Sequence, residues 1–436
     1  MTSALEPVSR RRFVAGAGAA ATALSLTRSA VAASKPRVIV VGGGFCGAPS
    51  AQYLRLWSDP QIEVPLVDLR PKHVSCVMSN LVLSGRLGLR RLTFDLRELT
   101  AKYGIDFVRD NAARVEGRTG RLRLENKGWL GYDRVVVSTG IEFERLPGWN
   151  SRVMPHAWIA GWQTGLLRKK LQAMPASGTF VMTVPKAPYR CPPGPYERAC
   201  TIADYLGRKA GVLGARRSSG GTPKVVVLDA NDGITAERET FTRAFEELYG
   251  DIIEYYPGVH VESADSAGLA LETNLGTFTG DVVNVIPTHR GSGLARRSRL
   301  LADSHWAPVD PVTYESTLAE SKGVHIIGDS QATGQPKSGH MANAQAKVCA
   351  DAIIRSLSGQ SPYTHERLAN LTTNSACFSP ITRDEASWLT AVFAYDLPSG
   401  QMKLVPGSLG EAGDWNSQSY EDMFTWSSNL FADTFG

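Results

Sequence analysis

Among its six cysteines the sequence has no C-x-x-C pair and no C-x-x-C-H string, so the chain attaches no c-type haem of its own. No Cys/His cluster has zinc-ligand spacing, and no metal site is expected. Internal repeats and long low-complexity tracts are also missing, which excludes solenoid and fibrous architectures. The net charge of +5 sits partly in Arg10, Arg11 and Arg12, and basic residues elsewhere are scattered among acids. Without a basic stripe, no nucleic-acid partner is expected. What remains is ordinary globular composition over 436 residues, too long for one core and suggesting two or three domains.

The N-terminus carries a distinct signal. Ser9-Arg10-Arg11-Arg12-Phe13-Val14 precedes an Ala/Gly/Leu stretch over residues 15–26, and Ala30-Val31-Ala32 offers an A-x-A cleavage site. The stretch is too short and too rich in Ala and Gly to span a bilayer. Paired arginines before a weakly apolar segment match the twin-arginine export signal, with an ordinary secretory signal or a basic tail as the competing readings. That route carries folded proteins, which suits a chain that loads a cofactor before export. Residues 1–32 are thus expected to be a signal peptide, and the mature protein periplasmic, without membrane insertion. Export also allows disulfides to persist.

Arg37-Val38-Ile39-Val40-Val41 is the apolar, β-branched run of a buried parallel strand. Gly42-Gly43-Gly44-Phe45-Cys46-Gly47 follows, then a helix to about Trp57, then a strand over residues 64–69 that includes Asp68, 21 residues after Gly47. This is a complete dinucleotide fingerprint. Gly42 makes the turn, Gly44 lets the backbone approach a pyrophosphate, Gly47 lets helix and strand pack, and Asp68 can bind ribose hydroxyls. Two later strands fit the same cofactor. One ends in the small turn Ser138-Thr139-Gly140, and the other, over residues 323–329, ends on Gly328-Asp329. In this order the three resemble the disulfide-reductase superfamily of flavoproteins. That implies an α/β fold with two dinucleotide-binding-like domains, an FAD domain split in sequence, and here a small C-terminal α+β domain. The expected boundaries are 36–150 and 281–360 for the FAD domain, 151–280 for the second domain and 361–436 for the aromatic-rich C-terminal region.

The second domain departs from a nicotinamide site. After Thr179-Phe180-Val181-Met182-Thr183-Val184, a glycine turn should follow if NAD(P)H bound; instead the chain reads Pro185-Lys186-Ala187-Pro188-Tyr189-Arg190-Cys191-Pro192-Pro193-Gly194-Pro195. Prolines remove backbone donors and fix φ, so no pyrophosphate cradle is expected there. The next strand still ends on Asp229, so the domain fold persists. After Lys337-Ser338-Gly339-His340, residues 341–357 read as an Ala-rich helix whose N-terminus points at the flavin.

Cys191-Pro192-Pro193-Gly194-Pro195-Tyr196-Glu197-Arg198 is the most distinctive string. With His73-Val74-Ser75-Cys76-Val77-Met78-Ser79-Asn80, Pro336-Lys337-Ser338-Gly339 and Asp433-Thr434-Phe435-Gly436, it closely resembles the flavoprotein subunits of flavocytochrome c sulfide dehydrogenase, over nearly the whole mature chain. The resemblance implies FAD held as a thioether by Cys76, a redox disulfide between Cys191 and Cys377, and Glu197 near the flavin as a proton relay. It also places Trp426 by the flavin ring and Lys337 in the cofactor-binding set. The implied partner is a small c-type cytochrome subunit, which alone carries the haem. Sulfide, an anionic nucleophile near neutral pH, would attack the disulfide and leave a persulfide and a thiolate, whose electrons pass to the flavin. Cys46 and Cys349 read as buried small hydrophobes. Cys200 is either an inert thiol or a local partner for Cys191. The expected activity is periplasmic sulfide:cytochrome c oxidoreductase. The alternatives are a sulfide:quinone oxidoreductase and an accessory flavoprotein of a thiosulfate-oxidising complex.

Overall fold

A computed structural model describes residues 35–58, 61–214 and 221–436; the export segment assigned to residues 1–32 lies outside the described residues. Val38–Val41 is buried at every position, as a strand covered on both faces must be. It pairs in parallel with Arg134–Val137 on one side and Pro65–Asp68 on the other. Val324–Ile326 and Asp106–Arg109 complete a five-stranded parallel sheet. The strand Val324–Ile326 returns to this sheet beside Arg134–Val137 only after the whole second domain has been built, so the FAD domain is split in sequence.

The intervening segment repeats the plan. Ile253–Pro257, Lys224–Asp229, Thr179–Val184 and Val282–Asn284 form a second parallel sheet, in that order. Each parallel sheet is interrupted, before its later strands, by an antiparallel three-stranded meander, at Ala112–Glu116 to Gly128–Gly131 ahead of Arg134–Val137 and at Val261–Asp265 to Gly276–Thr279 ahead of Val282–Asn284. Where the chain leaves and re-enters the FAD domain, Ile141–Phe143 pairs antiparallel with His289–Gly291, tying both crossings together.

The C-terminal region is α+β. Thr372–Pro380 pairs along its full length with Ala386–Asp396, Gln401–Leu404 and Gly410–Glu411 extend the sheet, and the helix Ser417–Phe435 closes it. This helix packs inward. Phe435 stacks on Phe94, with centroids 4.5 Å apart, and on His73 at 5.1 Å, while Phe45 meets it edge-on. The aromatic tail is therefore core, built onto the FAD domain. No helix of the described residues is long and apolar enough to cross a membrane.

Candidate active site

Open α/β sheets bind ligands beyond the carboxyl ends of their strands. Here Gly42–Gly44, Ser138–Gly140 and Gly328–Asp329, which follow three adjacent strands, line one long cleft of about 1770 Å³. Gly42 has φ +95°, and a Cβ on Gly47 would lie 1.7 Å from the Gly42 carbonyl oxygen, so no other residue fits at Gly47. The Asp68 carboxylate accepts from the Gly43 N–H at 2.8 Å and from the Arg70 N–H at 2.9 Å, so its first role is to brace the turn. Thr139 donates its hydroxyl to Ser292 at 2.6 Å. In the cleft wall, His73 carries a buried Nε2 with no partner among the described residues. Burial and then Arg70 push this imidazole down to about 4, so it is neutral. A glycine cradle that a Cβ would block and an orphaned ring nitrogen beside it both fit a bound dinucleotide.

A second cavity, about 770 Å³, joins the cleft through the shared wall residues Cys76, Arg190, Ser338 and Gly339. Cys76, Cys191 and Cys377 all line it, together with Glu197. All six cysteines carry free thiols. Cys191 and Cys377 are close enough that charge on Cys377 raises the Cys191 thiol; burial is the larger cause, and it also lifts Cys377 to about 12. Trp426 and His340 supply another wall; the His340 Nδ1 accepts from the Ala376 N–H at 3.0 Å and from the Trp426 indole at 3.4 Å.

The string from Cys191 to Arg198 is the junction between a loop and a helix. Cys191 holds a left-handed φ of +59°, its N–H donates to the Lys337 carbonyl at 2.7 Å, and its own carbonyl accepts from Gly194. A Cβ on Gly194 would lie 2.8 Å from the Cys191 sulfur and 2.9 Å from Trp158, which explains the glycine. The helix Gly194–Ala210 then carries Glu197 and Arg198 one residue apart. Arg198 is fully buried, over the Trp158 ring at 4.8 Å, and donates to Asn80, Asn284 and the carbonyls of His156 and Ala157. Asn80 accepts from Arg198 and donates to the Glu197 carboxylate at 3.0 Å, locking the two side chains into one network. Burial raises Glu197 to about 8.

The upstream loop, residues 185–193, makes no glycine turn. Asn231 clasps it instead, accepting from the Ala187 N–H and donating to the Pro185 carbonyl. Lys337 also departs from its expected place. Its ammonium lies over the Trp306 ring at 3.8 Å and donates to the carbonyls of Asp329 and Gln331, and it lines neither cavity. Lys337 therefore anchors the loop behind the cofactor cleft, because a buried ammonium needs several acceptors at once. Cys200 lies in the second-domain core and Cys349 in the FAD-domain core, away from both cavities. Cys46 donates its thiol to the Ala342 carbonyl at 3.0 Å in the cleft wall. Sequence reasoning passed over Asn80 and Arg190. Both stand inside strings it quoted, but nothing in their spacing shows that Asn80 links Glu197 to Arg198 or that Arg190 borders both cavities.

A family model described as the central region of the sulfide dehydrogenase (flavocytochrome c) flavoprotein chain matches residues 164–287. The sulfide dehydrogenase flavoprotein chain of Chlorobaculum thiosulfatiphilum is 54% identical over 46 residues, which span 94% of that relative and 11% of this chain. Among solved structures, the sulfide:quinone oxidoreductase of Aquifex aeolicus superposes with a TM-score of 0.71 at 16% identity, covering 92% of this chain and 91% of that one. The NDH2 of Plasmodium falciparum in complex with NADH gives 0.65 at 12% identity, covering 92% and 97%. These likenesses establish the fold. The chain belongs to the family of flavocytochrome c sulfide dehydrogenase flavoprotein chains, and it is an FAD-dependent oxidoreductase acting on sulfur.

Proposed function

We propose that the chain oxidises sulfide in the periplasm at a Cys191–Cys377 disulfide, beside FAD held through a thioether to Cys76, and passes the electrons to a small c-type cytochrome subunit. The observation that carries this reading is that Cys76, Cys191, Cys377 and Glu197 line one cavity continuous with the dinucleotide cleft. The free thiols correspond to the reduced dithiol. In the oxidised protein, the sulfur of HS⁻ forms a new S–S bond to one cysteine. The Cys191–Cys377 bond breaks, and its electron pair leaves on the other sulfur as a thiolate. Since burial puts the Cys377 thiol at about 12 and Glu197 at about 8, a thiolate formed at Cys377 takes a proton from the Glu197 acid downhill. The flavin supplies an acceptor for two electrons that can be handed on singly. Asn80 and Arg198 keep Glu197 in place, and Gly194 leaves room for the Cys191 sulfur.

A cytochrome is favoured over a membrane quinone by the tail helix. Its Met423, Leu430 and Phe435 are buried, its outward residues include Glu421 and Asp422, and it contains no Lys or Arg to attract an anionic surface. The test is an assay of the purified protein and its complex with sulfide, against cytochrome c and against a soluble quinone. Sulfide-dependent cytochrome c reduction that survives Cys191→Ser removes the disulfide mechanism, and reduction of the quinone alone moves the reading to a sulfide:quinone oxidoreductase. Turnover with neither points to an accessory flavoprotein. Flavin fluorescence should stay with the denatured band and vanish in Cys76→Ser. Lysine at both Arg10 and Arg11 should retain the precursor inside the cell.

A further inference from the structure

Glu237 is a buried carboxyl that neither the fold nor the reaction described so far explains. It is fully inaccessible and adopts a left-handed backbone, φ +47°, which for a residue with a side chain is unfavourable. It stands at the N-terminus of the short helix Arg238–Arg243 but makes no capping hydrogen bond. Its side chain turns inward. Oε2 accepts the Ser379 hydroxyl at 2.5 Å, while Oε1 has no partner among the described residues. Among the described residues it forms no ion pair with Lys or Arg. The Ser387 hydroxyl, on the residue paired with Ser379 across the two strands, also faces this carboxyl, outside strict hydrogen-bond geometry, and both hydroxyls lower Glu237 against the larger effect of burial.

The position of this carboxyl gives it a use. Ser379 lies two residues beyond Cys377 on the same strand, and so on the same face. On its other side Glu237 helps line an open surface cleft of about 970 Å³ with Arg238, Arg243 and Glu411. The ionisable groups around it are Glu197 and Cys200 of the helix Gly194–Ala210, Cys377 of the long strand, Glu411 of the short strand, and Arg238 next in sequence. Burial chiefly, with charge on Glu237 as a smaller contribution, raises Glu197 and Cys377, and burial raises Glu237 itself to about 7. Glu197 and Cys377 thus line the thiol cavity, and Glu237, hydrogen-bonded to Ser379 two residues beyond Cys377, lies closed off from solvent beneath the wall of a second opening.

The reaction proposed above, on which this inference rests, has protons to dispose of. A second HS⁻ takes the outer sulfur of the persulfide, forming HSS⁻ and leaving that cysteine as its thiol; as the Cys191–Cys377 bond then re-forms, two protons leave the sulfurs, and FAD bound in the cleft would supply the acceptor for the two electrons. We propose that Glu237 is a proton-relay residue that carries these protons from Glu197 and Cys377 to water in the Glu411 cleft. It acts through those groups and never touches the substrate.

Glu237→Gln preserves the acceptor for Ser379 and removes the exchangeable acid. In the flavin-loaded protein, with sulfide and cytochrome c, turnover should fall about a hundredfold, the lower end of the range for a lost proton-transfer group. The pH profile should lose one ionisation, and added imidazole or formate should restore the rate in proportion to its concentration. A rate equal to native, or a fall that neither responds to these buffers nor alters the pH profile, overturns the relay. If Glu237→Gln fails to keep its flavin, Ser379→Ala serves instead: it removes a hydrogen bond that lowers Glu237 and should move one ionisation of the pH profile upward, and an unmoved profile overturns the relay. Cys191→Ser in the same series separates the two ideas. Activity surviving in Cys191→Ser refutes the disulfide reading itself, whereas a dead Cys191→Ser with an unaffected Glu237→Gln refutes only the relay.

Discussion

The chain contains the same strand–loop–helix unit twice, and the two copies do different work. In the first, Val38–Val41 leads through a tight glycine turn into Gly47–Ser58; in the second, Thr179–Val184 leads through residues 185–193 into Gly194–Ala210. The first presents backbone to a ligand, and at Gly42 and Gly47 a Cβ would collide with backbone oxygens. The second is held by side chains, Asn231 on the loop and Asn80 and Arg198 on the helix, and it aims a thiol and a carboxyl into a cavity. A βα turn can thus be rebuilt from a bare backbone cradle into a loop that presents a thiol and a carboxyl without altering the sheet below it.

Substitutions in the two copies should therefore fail differently. The largest effect is expected for Gly47→Ala, whose Cβ would sit 1.7 Å from a backbone oxygen. It should lower stability by more than about 3 kcal/mol and leave little flavin-loaded protein, read as flavin absorbance per chain. Cys191→Ser should do the reverse, keeping flavin at native stoichiometry while sulfide-dependent turnover falls by at least about a hundredfold. If both variants lose flavin alike, the contrast collapses. Glu197→Gln sharpens it through pH. Glu197 rises from an ordinary 4.5 to about 8, so in this interval the folded chain binds a proton that the unfolded chain has released. The stability gained from this group is complete below about 4.5 and is lost as pH rises to about 8, with a slope of up to about 1.4 kcal/mol per pH unit. Chemical denaturation across that range should show the slope reduced in the glutamine variant. Asn231→Ala should have the smallest effect, about 1–3 kcal/mol off the melting equilibrium with flavin content unchanged, since it frees the proline loop and leaves the glycine turn intact.

Much of the first copy was legible because its constraints are local. A glycine whose neighbour forbids a Cβ, a strand buried on both faces and an acid at a fixed distance all leave marks in consecutive residues. The proline-rich interruption was legible for the same reason, since proline removes donors wherever it stands. The network around Glu197 was not. Asn80 is more than a hundred positions from Arg198, and only the tertiary fold brings them within 2.9 Å. Lys337 shows how a string can suggest the wrong contact: its place in Pro336-Lys337-Ser338-Gly339 was apparent, but the direction of a long flexible side chain was not. The helix expected from Met341 begins at Gly339, because the Ser338 hydroxyl accepts from the Met341 N–H and starts it earlier. Glu237 left no sequence signal, since a left-handed glutamate looks like any surface acid before a helix.

The packing of the tail helix against the FAD domain also bears on how the protein is made. The Tyr53 hydroxyl, on the helix after the glycine turn, donates to Asp433, 380 residues downstream, and Phe45 and His73 complete their aromatic cluster on Phe435. At about 5–20 residues per second, a ribosome needs on the order of 20–80 s to supply that partner. Throughout that time the glycine turn is made, but Phe45 and His73, which line its cleft, lack the ring that packs behind them. Flavin capture should therefore be a late event of biosynthesis, and nascent chains stalled before residue 417 should bind the cofactor far more weakly than the released protein.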